Sequence, residues 1–401
     1  LPYLEKLFQR GALKYMDAVA VHPYQSPESV EQNVAELVAL MKKHNGGKAK
    51  PIWATETSYM HDHTTQRVEA ASHMVRMFTL LQTQPAVERI YWYLCCDYRK
   101  EFARLGLVHS DVDPMGKYTP VATYPAYANL VRRFHRAKFA RREATDSRTR
   151  VYRFDKPGET LWVCWSTFET AELVLSAGGP VRRVSLVGGD ETLAPTGGKI
   201  RVPVGETPFY LVAGEGVVTA VAETPRNDEV LADSARDFSG TQGAGGWSYF
   251  YYVSNQDGSA PYQPEKVQPM KWLPSPGDWA DMWTGPAKWY TISAGGAQPA
   301  VLDGAQGWTV LRWTSDTDGP VHLIVKLRRG RNGDGVGCKI FLDGKEIHSK
   351  HLPPGATESI DLTPTVHKGS RVDFVVTPGP ALDSNHDSAT LRATILTPPK
   401  T

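Results

Sequence analysis

The chain has 401 residues, more than one compact core accommodates, so two to four domains of roughly 100–200 residues each are expected. Lys and Arg number 45 against 43 Asp and Glu, a net charge of +2 with no long run of either sign, which argues against a nucleic-acid footprint or an anionic-membrane anchor. No stretch approaches the roughly 20 apolar residues that span a bilayer, so the expected partner is a small or uncharged ligand.

The first 138 residues alternate short apolar runs with amphipathic helical stretches, the pattern of βα units and a parallel sheet. Three strands are expected. Asp17 to Val21 ends in His22-Pro23-Tyr24, Pro51 to Ala54 ends in Thr55-Glu56-Thr57, and Arg89 to Leu94 contains Tyr91-Trp92-Tyr93. A short helix carrying Leu4, Leu7 and Phe8 on its apolar face precedes the first of them. Between the first two strands, Ser26 is the expected N-cap with Pro27 at the first helical position, and Val30, Val34, Leu37, Val38 and Met41 form one apolar face. Lys42, Lys43 and His44 before Asn45-Gly46-Gly47 supply last-turn cations and a glycine stop. A second helix is expected from about Thr65 to Thr83, with Val68, Ala71, Val75, Phe78 and Leu81 at helical spacing, and a third from about Pro125 to Lys138.

From Val151 the period changes to two. Thr160 to Trp165, Ala171 to Leu175, Val181 to Val187, Lys199 to Val204 and Pro208 to Val212 are short strands punctuated by glycine pairs, the pattern of a small β-sandwich over 139–222. The polar stretch 223–231 is the expected linker, and 232–401 is a second all-β region, read as another β-sandwich. Its clearest signal is Lys339 to Leu342, Asp343-Gly344, then Lys345 to His348, a two-residue hairpin. The four cysteines show neither a disulfide framework nor zinc spacing, and a buried free thiol is the expectation for each. The first residue is Leu1, with no initiator Met and no signal-peptide pattern, so the start of the protein is expected to lie upstream.

Barrel enzymes hold their chemistry at the C-terminal ends of parallel strands, where loops converge over one mouth. Glu56 ends an apolar strand, and a carboxylate there is costly to bury without a partner or a task. The competing reading is a salt-bridged structural carboxylate. His22 and Tyr24 are candidates to position Glu56 or bind a substrate hydroxyl, against a hydrogen-bonded structural pair at the rim. Trp92 is a candidate stacking platform for substrate, against packing within the barrel, and Tyr59 and Asp97 are candidates to line the cleft.

As an ordered set, His-Pro-Tyr, Trp-Ala-Thr-Glu-Thr-Ser-Tyr and Tyr-Trp-Tyr resemble strands six, seven and eight of clan A retaining glycoside hydrolases, with family 39 nearest. The segment from Gly106-Leu-Val through Asp111, Asp113 and Lys117 to Tyr124-Pro-Ala-Tyr127 is similar to the approach to those barrels' last helix. The resemblance covers roughly residues 1–138 and implies the C-terminal part of a (β/α)8 barrel. It also implies Glu56 as the nucleophile, and an acid/base glutamate at the end of strand four in a preceding barrel part. The implied substrate is a poly- or oligosaccharide and the implied location secreted, periplasmic or cell-surface. No organic cofactor is required.

The last region adds two weaker signals. Trp247, Tyr249, Tyr251, Trp272, Trp279 and Trp283 make either a carbohydrate-binding face or an aromatic core. Asp383-x-Asn385-x-Asp387 and Asn332-Gly-Asp334-Gly offer oxygen ligands of the kind structural calcium uses, with turn chemistry as the competing reading and no metal residue assigned. The alternative for the whole chain is a non-catalytic carbohydrate-binding or adhesive protein with a degenerate barrel.

Overall fold

The computed structural model describes residues 2–24, 27–59, 67–99, 105–146, 148–167, 169–274, 281–329, 333–381 and 386–398. The chain forms two compact units, Leu1–Pro225 and Arg226–Thr401. It is mostly β-sheet with few helices, and no described helix is long and apolar enough to cross a membrane.

The first unit opens with helix α1 (Pro2–Gln9), which seats Phe8, 1% exposed, in the core beside the half-buried Leu4 and Leu7. Strands β1 (Val19–Val21), β2 (Ile52–Thr57) and β3 (Val87–Trp92) then form a parallel sheet in that order. Register sets Val21 beside Ala54 and Thr57 beside Trp92, so β2 and β3 end level while β1 ends beside Ala54, before the end of β2. Helix α2 (Val30–His44) buries Val30, Val34, Leu37 and Met41, and Gly47 N–H donates to Lys42 O at 3.0 Å past its end. Its start differs from expectation: Pro27–Ser29 is a 3₁₀ turn and Ser29 holds the cap position, while Ser26 lies outside the described residues. Helix α3 (Arg67–Gln82) buries Ala71, Val75, Phe78 and Leu81, but Val68, in its first turn, is 47% exposed; Thr65 lies outside the described residues. Helix α4 (Thr123–Phe134) ends earlier than expected, because Arg136 takes a left-handed φ of 59° and Lys138 already begins a strand.

Nine strands follow: β4 (Lys138–Arg142), β5 (Thr149–Lys156), β6 (Glu159–Ser166), β7 (Ala171–Ala177), β8 (Val181–Val184), β9 (Asp190–Leu193), β10 (Lys199–Val204), β11 (Phe209–Gly214) and β12 (Val218–Glu223). They form one sheet in the order β4-β5-β6-β11-β8-β9 and another in the order β10-β7-β12. The alternation of side chains along a strand here serves two cores. Leu161, Val163 and Trp165 of β6, with Tyr210 and Val212 of β11, join the core that contains the helices. Trp162, Cys164, Phe209 and Leu211, on the opposite face, join the core closed by β7 and β10. The polar stretch 223–231 is held at both ends. Glu223 accepts from Asp146 N–H and the Thr149 hydroxyl, each at 2.8 Å, and Glu229 N–H donates to Thr397 Oγ1 at 2.9 Å.

Among its described residues the second unit is β-sheet apart from one 3₁₀ turn, Ala244–Gly246. Its core includes Trp247, Tyr249 and Trp283, all at most 4% exposed, with Tyr249 stacked on Trp283 at 5.0 Å. Those rings are core, while Tyr251 and Trp272 are half-buried and Trp279 lies outside the described residues. Residues 332, 383 and 385 of the oxygen-rich turns also lie outside them. Asp387 is fully buried 3.4 Å from Arg329 Nη2, and Asp334 accepts from Ala381 N–H. All four cysteines are free, but Cys95 is exposed and Cys96 only half-buried, so the buried-thiol expectation is met by Cys164 and Cys338 alone.

The 336–352 hairpin pairs Leu342 with Lys345 across Asp343 (φ 49°) and Gly344 (φ 85°), the two left-handed residues a two-residue turn requires. A Cβ on Gly344 would come within 2.9 Å of Pro264 Cγ. Gly344→Ala is expected to lower stability by about 1–2 kcal/mol in urea unfolding, whereas substitution at the exposed Gly304, also left-handed and with nothing within 4 Å of an added Cβ, tests the backbone term without that contact.

Asp233, 2% exposed at its side chain, accepts from Arg392 Nη2 at 2.8 Å, from Thr394 Oγ1 at 3.0 Å, and from the N–H groups of Ala235 and Arg236. Burial opposes its charge, but the Arg392 guanidinium and these donors outweigh burial and hold its carboxyl below the ordinary 3.8. A depressed carboxyl contributes stability above its unfolded value and loses it as pH falls through the folded one. Acid unfolding of the wild type is therefore expected to steepen below the ordinary aspartate range. Asp233→Asn is expected to remove that step and to cost roughly 3 kcal/mol at neutral pH, both readable by circular dichroism.

Candidate active site

The strand ends and the segment after β1 bring three of the expected residues together. Tyr24, beyond β1, donates its hydroxyl to Glu56 Oε2 at 2.6 Å, and His22 Nδ1 lies 3.5 Å from the same oxygen. The Glu56 side chain is 32% exposed, so its carboxylate is engaged and yet open to a ligand. The loops are tied at this level by the Thr57 hydroxyl on Pro23 O at 2.9 Å and Tyr93 N–H on Thr57 O at 2.9 Å. β2 is hydrogen-bonded on both sides, so Glu56 is carried by the best-supported of the three strands.

Two further phenols belong to this group. The Tyr93 hydroxyl is hydrogen-bonded to that of Tyr98, and burial, then the Glu56 contact, then the proximity of Tyr93 and Tyr98 hold the Tyr24 phenol well above the usual tyrosine range. Tyr93 is raised in turn, first by its bond to Tyr98. Tyr98 escaped the sequence reading because no strand pattern extends to it; Tyr93 was visible only as part of Tyr91-Trp92-Tyr93.

The other expected residues are placed differently. Trp92 is half-buried against the core of the first unit, and its indole donates to Leu105 O at 2.9 Å. That is the packing alternative, not a ring offered to a sugar. Asp97 has a side chain 1% exposed and accepts from Gly106 N–H at 2.8 Å, so it braces a loop instead of lining a cleft. Tyr59 is half-buried, its ring 4.8 Å from that of His73. A Trp and a carboxylate near a strand end look alike in sequence whether they point to the mouth or into the wall, because a one-residue change of register reverses a side chain.

The sequence reading also passed over one set of donors. Asp97, His109 and Asp113 bring one ligand atom each within 4.8 Å of one another. Their spacing along the chain matches no compact metal motif, and the loop between them brings them together.

A family model described as the glycosyl hydrolase catalytic core matches residues 1–123. No curated protein matches the chain. Among solved structures, the chain is similar to a family 39 glycoside hydrolase from the gut symbiont Bacteroides cellulosilyticus WH2, at 19% identity and a TM-score of 0.44, covering 52% of this chain and 46% of that one. It is also similar to a beta-porphyranase of glycoside hydrolase family 86 from the human gut bacterium Bacteroides plebeius, at 10% identity and a TM-score of 0.38, covering 98% and 66%. A family 35 carbohydrate binding module from an environmental isolate follows at 8% identity and a TM-score of 0.19, covering 25% and 74%. The chain thus spans less than half the length of the family 39 structure.

A raised phenol is neutral below its folded value and ionises only as pH rises through it, so Tyr24 is expected to stay a hydrogen-bond donor well above the ordinary tyrosine value of 10.0. Tyr24→Phe should therefore delete a late step from the alkaline phenolate absorbance. Loss of an early step instead would contradict the contact with Glu56. Residues 1–123, which the glycosyl hydrolase catalytic-core model matches, are the part of the chain whose strand ends gather a carboxylate and its phenolic donor.

Proposed function

We propose that this chain is the C-terminal portion of a retaining glycoside hydrolase acting on a poly- or oligosaccharide, with Glu56 as its nucleophile. In this reading residues 1–138 are strands six to eight of a (β/α)8 barrel, 139–222 and 232–401 are β-sandwiches, and the protein works outside the cytoplasm. A preceding barrel part of the same protein supplies the acid/base glutamate. The observation that carries the reading is the Tyr24 hydroxyl on Glu56 Oε2 at 2.6 Å, on a carboxylate still open to solvent.

With Oε2 held by Tyr24, the Oε1 lone pair is the one directed to an anomeric carbon. Its attack forms the glycosyl ester as the bond to the leaving oxygen breaks, and that oxygen takes a proton from the acid/base residue. Water, deprotonated by the same residue, then attacks the anomeric carbon, and the carboxylate leaves, giving net retention. Tyr24 remains neutral throughout the working pH range, because burial and the Glu56 contact raise it. Its hydrogen bond weakens as Oε2 loses charge in the ester and strengthens as the carboxylate re-forms, which favours deglycosylation. His22, on the same oxygen and half open to solvent, is placed to orient Glu56 or to meet a sugar hydroxyl.

The test is trapping with a 2-fluoro glycoside on the protein that includes the preceding barrel part, followed by peptide mapping. Label on Glu56 and a loss of turnover of at least ~10³-fold in Glu56→Gln are expected, while this chain by itself gives no turnover. Label on another carboxylate would sink the assignment, and polysaccharide binding with no label under any condition would favour the non-catalytic alternative.

A further inference from the structure

We infer that Asp97, His109 and Asp113 form a binding site for a divalent transition-metal ion of the zinc or manganese type. His109 Nδ1 lies 3.2 Å from Asp113 Oδ2 and 3.6 Å from Asp97 Oδ2, and the three ligand atoms all fall within 4.8 Å of one another. Around a tetrahedral ion with bonds of about 2.0–2.2 Å, neighbouring ligand atoms sit about 3.4 Å apart. The two measured separations bracket that edge.

The ligand set is built and enclosed. Side-chain exposure is 8% for His109, 1% for Asp97 and 3% for Asp113. The second oxygen of each carboxylate is anchored to backbone, Asp97 Oδ1 by Gly106 N–H at 2.8 Å and Asp113 Oδ1 by Met115 N–H at 2.9 Å. These bonds aim both Oδ2 atoms at the imidazole, an outer shell of the kind that orients metal ligands. Three strips of backbone are knitted around them through the bridges of Cys96 to Val108 and of Val108 to Pro120. The approach of the first two strips requires Gly106, where a Cβ would come within 2.5 Å of Asp97 N and 2.8 Å of Cys96 C. One imidazole and two carboxylates suit zinc or manganese; calcium and magnesium prefer all-oxygen shells.

The competing account is a purely structural hydrogen-bonded trio with the His109 proton between two carboxylates, and the two accounts differ in what they bind. A bound ion would clamp Asp97, and with it the adjoining Tyr98, whose hydroxyl meets that of Tyr93 beside Glu56. The inference stands whether or not Glu56 is a nucleophile.

The experiment is calorimetric titration of the whole chain, freed of metal by chelator, with zinc and manganese, and with calcium as the control. One zinc or manganese ion per chain, a rise in melting temperature, and an intense visible absorption with cobalt are expected. His109→Gln and Asp113→Asn, each checked by circular dichroism for native fold, should lose the site. If a variant does not fold, the cobalt spectrum of the wild type decides, since a closed low-coordinate site absorbs strongly and a hydrated surface ion does not. No saturable binding to the wild type, binding of calcium alone, or binding undiminished in both folded variants would overturn the inference.

Discussion

The first unit depends on a sheet that is buried on both faces. In β5, β6 and β11, alternate residues point into different cores, so no position along Leu161 to Trp165 faces water. At about 1.5–3 kcal/mol for each large apolar side chain buried, these strands are a main source of cohesion. They also join the helical segment to the sheets that follow. Asn129 of α4 donates to Ser185 O at 3.1 Å and Leu186 O at 3.3 Å, and buried Arg133 bonds Asn129 Oδ1 at 3.3 Å. Phe134 packs edge-on against Phe154 at 4.9 Å. Burial lowers the Arg133 guanidinium from its ordinary value, which reflects how dry this seam is.

That anchorage reaches the candidate site through the helices. α3 runs between β2 and β3 in the chain and packs on α4, which is itself seated on the sheet. The strand ends inherit a fixed register, and a carboxylate, an imidazole and three phenols gather there on backbone that is already braced. Placing the chemistry on loops above a rigid scaffold is the common solution for barrel-type enzymes. Asp97, of the Asp97, His109 and Asp113 cluster, braces the loop that follows Tyr98 through its bond from Gly106 N–H.

The second unit relies on a different device. Trp247, Tyr249 and Trp283 pack in its core, and ion pairs hold buried polar groups: Asp233 with Arg392, and Asp373 with Arg312 at 2.6 Å. Tyr262 adds its hydroxyl to Asp373 at 2.7 Å. Each pair ties strands distant in sequence, and pairs this buried are costly to break from one side.

Much of this was determined locally by the sequence. Helical spacing located the buried stripe of α2, period-two alternation located β6, β7 and β10, and Asp343-Gly344 named its own turn, because each is a property of a few adjacent residues. The strand-end order that resembles glycosyl hydrolases was equally legible, and so was the place of Glu56 near the end of β2. What only the tertiary structure decided is which way side chains near an element's end point and what meets them. Trp92 turned to the core, Asp97 turned into the loop, Val68 turned to solvent, Tyr98 came to Tyr93, and Asp97 met His109 and Asp113. Those outcomes depend on register and on contacts between distant segments, and neither is encoded in the spacing of neighbours.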